Sequence, residues 1–176
     1  MNPLFKRWGC LLVSMCLLVA ASGQYRHEPL NPVEIDKLRD AAQDPSQRIK
    51  LYIQFSRARL VDLEQMRSDP KVTDRAQQTH DKLQNFLEVY DELNDNLDTF
   101  VQRRADLRKP LKSVIEADAE FQAKLRALKD AAETSRSEAD QYRFLLGSTI
   151  DTVDGSLQDH RQLLSDQEEA AKRKRR

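Results

Sequence analysis

The chain reads as an all-α protein, an elongated antiparallel helical bundle with one long, coiled-coil-like helix. Two observations predict this. Only 4 of the 176 residues are Gly while a third of the chain is charged, the composition of long helices with one solvated face and not of a β-sandwich or a Gly-built nucleotide fold. Apolar residues also recur at helical spacing through nearly the whole chain beyond residue 32, the primary signal of amphipathic helix.

The N-terminus stands apart. Lys6 and Arg7 precede an apolar run from Trp8 to Ala21, WGCLLVSMCLLVAA, followed by small residues. This is the pattern of a secretory signal peptide over residues 1–23, cleaved after Gly23 or Ala21. A membrane span needs roughly 20 apolar residues, more than this run has, so retention as an anchor is the weaker reading. Cys10 and Cys16 both lie in this segment, so the mature chain would hold no cysteine. An exported domain without disulfides, of a size that sustains its own core, points to a bacterial periplasm or exterior.

Residues 24–31 form an extended leader, interrupted by Pro29 and followed by Pro32. Helix starts are then marked three times, by Asn31-Pro32, Asp44-Pro45 and Asp69-Pro70. Each sets a good N-cap side chain before a proline whose missing N–H costs nothing at the first helical position. Glu34 and Gln47 sit where a capping-box partner belongs. The first helix, about Pro32 to Gln43, faces inward through Ile35, Leu38 and Ala42. The second, Pro45 to about Arg67, carries a broad stripe of Ile49, Tyr52, Ile53, Phe55, Leu60, Leu63 and Met66.

From residue 83 the pattern becomes a heptad. Phe86, Leu93, Phe100, Leu107, Val114, Phe121 and Leu128 form one series, and Leu83, Tyr90, Leu97, Arg104, Leu111, Asp118 and Leu125 its companion. The phase passes unchanged through Pro110, and no Gly or Asn stands beside that proline to cap a helix end. The spacing therefore predicts one helix from about Pro70 to Ala131, kinked at Pro110, as a rod of roughly 90 Å. An interior proline opposes this by about 3 kcal/mol, and two helices meeting near Lys109 is the alternative. A last helix begins near Ser135, with Glu138 at capping-box spacing, and carries Tyr142, Leu146, Ile150, Val153, Leu157, His160 and Leu164 inward to about Ala171. It returns antiparallel along the second half of the long helix, as the second helix does along the first. Residues 32–171 are thus one helical bundle domain and 172–176 a basic tail.

The chemistry this sequence lacks narrows its function. None of His27, His80 and His160 lies in a helical metal motif, and His160, on an apolar stripe, reads as a packing residue. The acidic stretch 151–159 fails as a calcium loop, because aligning Gly155 with the loop glycine puts Ile150 and Arg161 at ligand positions. Glu116 and Glu120 share a face that reads as solvated, with Glu120 and Lys124 as an i,i+4 pair. No GxGxxG, GxxxxGK[ST] or GxSxG occurs. The expectation is a protein that is not an enzyme and takes no metal or cofactor.

Charge is unevenly placed. Loss of Lys6 and Arg7 with the signal leaves 27 bases against 29 acids, and five of those bases form the terminal Lys172, Arg173, Lys174, Arg175 and Arg176. A second basic group, Arg103 to Lys112, puts Arg104, Arg108 and Lys112 one turn apart as a ridge on the long helix. Ridge and tail are the candidate binding residues, the ridge for phosphate, a polyanionic glycan or a lipid head group, the tail for an anionic membrane or wall polymer. Nucleic acid is not expected, since no aromatic lies among the bases. Arg104 also occupies a seam position, which predicts a buried acidic partner on the last helix or Asp118 of a second chain.

A signal peptide, proline-started long helices and no mature cysteine together give a chain that resembles exported all-helical bacterial proteins of unknown function. The resemblance covers the whole chain in general pattern, without a diagnostic motif, and carries over no functional residue. In class the chain is also similar to periplasmic helical chaperones, though the LTxxQ repeat of the small stress chaperones is missing. The sequence thus predicts an exported structural or interaction protein that uses a long helix for self-association or partner binding, or alternatively a chaperone-like holder of unfolded clients.

Overall fold

The computed structural model describes residues 29–134 and 136–174, without the side chains of 134 and 136; the expected signal peptide, most of the leader, the Ser135 cap, Arg175 and Arg176 lie outside them. Six helices follow in order: α1 (Pro32–Asp40), α2 (Pro45–Ser68), α3 (Arg75–Gln102), α4 (Arg108–Thr134), α5 (Arg136–Ala139) and α6 (Arg143–Lys174). No strand occurs among the described residues.

The first two proline starts form as expected. The Asn31 side chain accepts from the Glu34 N–H while Glu34 reaches back to the Asn31 N–H, a complete capping box. Asp44 accepts from the Gln47 N–H in the same way. The third start does not form. Asp69 is instead the C-cap of α2, its carboxylate accepting from the Lys71 N–H, and α3 begins five residues beyond Pro70. An Asp beside a proline serves a turn as well as a cap. In α1 the buried residues are Glu34 and Leu38, and Ala41 replaces Ala42 as the next inward position.

The long rod is not there. Between α3 and α4 the chain turns at residues 103–107, so Pro110 bends nothing: it is the third residue of α4, buried, where a helical N–H has no partner in any case. The turn is a Schellman closure. The Arg104 N–H donates to the Val101 carbonyl (2.8 Å) and the Ala105 N–H to the Phe100 carbonyl (3.0 Å), with Arg104 in the left-handed region at φ 59°. Glycine ordinarily takes that place, which is why the sequence showed no stop. On the far side, the Leu111 N–H reaches the Leu107 carbonyl (2.8 Å) to start α4.

Folding the rod back makes a four-helix bundle. α2 and α3 are antiparallel, linked by Arg48 to Asn96 (2.7 Å) and Arg67 to Thr79 (2.9 Å). α4 and α6 are antiparallel, linked by Gln122 to Asp154 (2.6 Å) and Lys112 to Glu168 (3.6 Å). α2 and α4 run parallel, joined by the bidentate Arg57–Glu120 pair and by Lys124–Glu64. α3 and α4 face each other across the core, where Phe86 and Phe121 meet edge to face at 5.5 Å. Both antiparallel pairings are those the sequence predicts.

The seam itself explains why the register survived the turn. Phe86, Leu93, Phe100, Leu107, Val114 and Phe121 are all at most 5% exposed. Two core-facing helices joined by a seven-residue step from Phe100 to Leu107 keep the count whether or not the chain reverses between them. Reversal is favoured because a lone rod leaves half of its seam opposite each short neighbour, whereas the hairpin sets one half of the seam against the other.

The last helix also starts late. After α5 the chain makes a turn at residues 140–142, and α6 begins at Arg143 and continues to Lys174. α5 closes that end of the bundle: Glu138 receives a hydrogen bond from Arg67 (2.9 Å), whose guanidinium lies 5.6 Å from the Tyr142 ring.

Candidate functional site

The turn at 103–107 has a consequence for charge. It sits at the end of the bundle reached by the last turns of α6, and Gln167 ties the two together. Its side-chain oxygen accepts from the Leu107 N–H (2.8 Å) and its amide donates to the Ala105 carbonyl (3.3 Å). The Lys112–Glu168 contact follows one turn further along. The bases of 103–112 and those of 172–174, distant in sequence, therefore share one end of the molecule.

Their roles differ from the ridge the sequence predicts. Arg104 lies in the turn, so it does not stack with Arg108 and Lys112 on one helix. It is exposed, and no acid among the described residues pairs with it. Its expected partner is engaged elsewhere: Asp118 is fully buried between Tyr90 and His160. Arg104 reads as a seam residue only because the seven-count continues through a turn.

Arg108 is held by Asp106, whose carboxyl accepts from the Arg108 guanidinium and N–H; these bonds bring the Asp106 pKa down to about 2. That pair is locally neutral. Lys112 faces Glu168 and Arg173 faces Glu169 (3.3 Å), both loosely and near solvent. Arg103, Arg104, Lys109, Lys172 and Lys174 have no acidic partner among the described residues. These five form the cationic end, with Arg175 and Arg176 next in sequence outside the described residues. Arg103 and Lys109 were part of the basic stretch in the sequence but not among its candidate sites, and their free charge follows from their neighbours' pairing.

A groove of about 710 Å³ runs from this end between the parallel helices α2 and α4. Ile49, Ile53 and Pro110 line it, Lys50 and Lys109 border it, and the Arg57–Glu120 pair crosses it. Glu120 is thus bonded across helices and not to Lys124, which reaches Glu64 (2.7 Å). Hydrogen bonding to Arg57 lowers the Glu120 pKa.

The other polar cluster is internal. The Tyr90 hydroxyl donates to one Asp118 oxygen (2.8 Å), and His160 Nδ1 lies 2.8 Å from the other. Tyr90 and Asp118 are 0% exposed and His160 6%. Burial, then the adjacent Asp118 charge, raises the Tyr90 pKa far above the ordinary phenol value, so the hydroxyl stays a donor. His160 is a satisfied packing residue, as its place on the apolar stripe predicts. Its three members come from α3, α4 and α6, so the network ties those helices together. Sequence reasoning missed the pair, though both members were visible as polar outliers on apolar stripes.

Among the described residues no group of three or more His, Cys, Asp or Glu is placed to hold a metal ion, and no helix is long and apolar enough to cross a membrane. The acidic stretch 151–159 is continuous helix within α6. Comparison with protein-family models, with curated proteins and with solved structures finds no match to the chain.

Proposed function

We propose that this is an exported, non-enzymatic interaction protein that docks by the cationic end of its bundle on an anionic bilayer surface. The observation that carries the reading is the convergence through Gln167 of two basic segments, with five cations lacking an acidic partner among the described residues. Each basic side chain near an anionic surface contributes about 1 kcal/mol, screened by salt. The long free helix expected as an association surface is folded into the core, so binding falls to the ends and outer faces. A client-holding role has less support, because Val33, Val61 and Phe144 are the only large apolar side chains exposed among the described residues.

Co-sedimentation with anionic and neutral vesicles tests this. Glutamine at Arg103, Arg104 and Lys109, or at Lys172, Arg173 and Lys174, should each weaken binding to anionic vesicles, and the two sets together should abolish it. Equal pelleting on neutral vesicles, or no effect of either set, would overturn the reading. Binding to a soluble polyanion but not to vesicles would reassign the partner.

A further inference from the structure

We propose that the turn at 103–107 is a hinge through which two copies of the protein exchange halves, α3 and α4 of each chain joining into one continuous helix. The turn divides the chain into two units, α1 to α3 and α4 to α6. The ties between them include Arg57–Glu120, Lys124–Glu64, Asn94–Ser156 (3.2 Å), Tyr90–Asp118 and the contact of Phe86 with Phe121. An exchange makes these same ties between two chains. It calls on the core that the fold already buries and on no outer face.

The hinge carries opposing signals. Residues 103–108, Arg-Arg-Ala-Asp-Leu-Arg, contain no Gly, Asn or Pro, and all but Asp106 are good helix formers. Arg104 nonetheless stands in the left-handed region at φ 59°, a conformation that an L side chain leaves at a gain. A short connection under strain is where such exchanges arise. On opening, helical bonds replace those that the Arg104 and Ala105 N–H groups make in the turn. Pro110 opposes the change. In the first turn of α4 its missing N–H costs nothing, but in a continuous helix it would leave the Asp106 carbonyl without a donor and crowd it. Pro110 thereby keeps the closed monomer dominant in dilute protein.

The core already has the register that the exchanged form needs. Tyr90 and Asp118 bond from fourteen residues to either side of Arg104, and Phe86 and Phe121 meet from eighteen and seventeen. A two-fold axis at Arg104 therefore sets α3 of one copy against the partner's α4 in the register of the monomer, without sliding. The seven-residue step from Phe100 to Leu107 keeps both halves of the seam turned toward the other chain. This accounts for a heptad that runs unbroken through a turn, which a hairpin alone does not require. The same axis brings two cationic ends together. Their repulsion opposes the dimer and is screened by salt, so salt strengthens the exchange while it weakens docking on an anionic surface.

Sedimentation velocity of the full-length protein, refolded from urea at high micromolar concentration without vesicles, tests the exchange apart from docking. A dimer that reverts slowly to monomer is expected, and more of it in high salt. Pro110→Ala should raise the association constant at least roughly tenfold. Arg104→Gly, which relaxes the turn and weakens the continuous helix, should lower it at least roughly tenfold. Circular dichroism of the monomer fractions should match the parent, which excludes misfolding as the cause. Spin labels replacing Asp81 in one copy and Ala127 in another, with Cys10 and Cys16 changed to serine, should lie about 15–30 Å apart in the isolated dimer. A Pro110→Ala protein that stays monomeric, a dimer equally abundant in Arg104→Gly, or a dimer without that distance between chains would overturn the proposal.

Discussion

Asp118→Ala should be among the most damaging single changes in this chain. The carboxylate is 0% exposed and is the acceptor shared by the Tyr90 hydroxyl and His160 Nδ1, each at 2.8 Å. Hydrogen bonds to a charged group contribute about 1.5–3 kcal/mol each. Removing the acceptor strands two buried polar groups, while relief of the carboxylate's own desolvation returns part of the loss. The net expectation is a cost of about 3–5 kcal/mol, a large part of the roughly 5–15 kcal/mol that holds a domain together. Urea unfolding followed by circular dichroism should show the midpoint falling by about 2 M at an m-value near 2 kcal/mol/M. Tyr90→Phe, which leaves Asp118 with His160, should cost only about 1–2 kcal/mol. Because a network is worse half-made than absent, the triple change Tyr90→Phe, Asp118→Leu, His160→Leu should be less destabilising than Asp118→Ala alone. An Asp118→Ala cost below about 1 kcal/mol would refute the claim that this network fixes helix pairing.

Three further outcomes follow from local geometry. Arg104→Gly should stabilise the fold by about 1 kcal/mol in thermal or urea unfolding, since an L side chain in the left-handed region costs roughly 1–2 kcal/mol that glycine avoids, whereas Arg104→Val should destabilise it. Burial opposes ionisation of Glu34, but its bonds to Arg59 and the Asn31 N–H prevail and hold its pKa below the ordinary 4.5. A folded pKa below the unfolded one gives stability that is complete above about pH 4.5 and lost as the pH falls through the lowered value, so Glu34→Gln should destabilise at pH 7 and make little difference in strong acid. Burial, then Asp95, Glu88 and Glu92, raises the Asp91 pKa; a raised carboxyl disfavours the folded state above its unfolded pKa, so Asp91→Asn should be mildly stabilising at neutral pH and less so in high salt.

How much of this could be seen in the sequence depends on the kind of signal. Periodicity found the inward faces of the long helices but ran α3 and α4 together as one, because burial leaves its period in the apolar residues whether or not the chain turns between them. Capping chemistry located the starts of α1 and α2 to the residue. The turn at 103–107 was invisible for two reasons: its left-handed residue is an arginine where a glycine would announce it, and the spacing from Phe100 to Leu107 happens to keep a heptad. Pro110 drew attention as a break three residues inside the helix it helps to begin. Asp118 and His160 were visible as outliers one by one. Only the antiparallel pairing of α4 with α6 shows that each answers the other, and only the placement of Gln167 shows that two basic segments form one end.

The reversal of the seam at Arg104 is the claim on which the core, the internal network and the cationic end all depend. Spin labels at Asp81 and Ala127, both exposed, test it by pulsed dipolar spectroscopy in a background with Cys10 and Cys16 replaced by serine. The hairpin sets these positions opposite each other, and with label linkers the distance should be about 15–30 Å for helices packed across one bundle. A single kinked rod would hold them roughly 70 Å apart, and a dominant distance in that range would contradict the account.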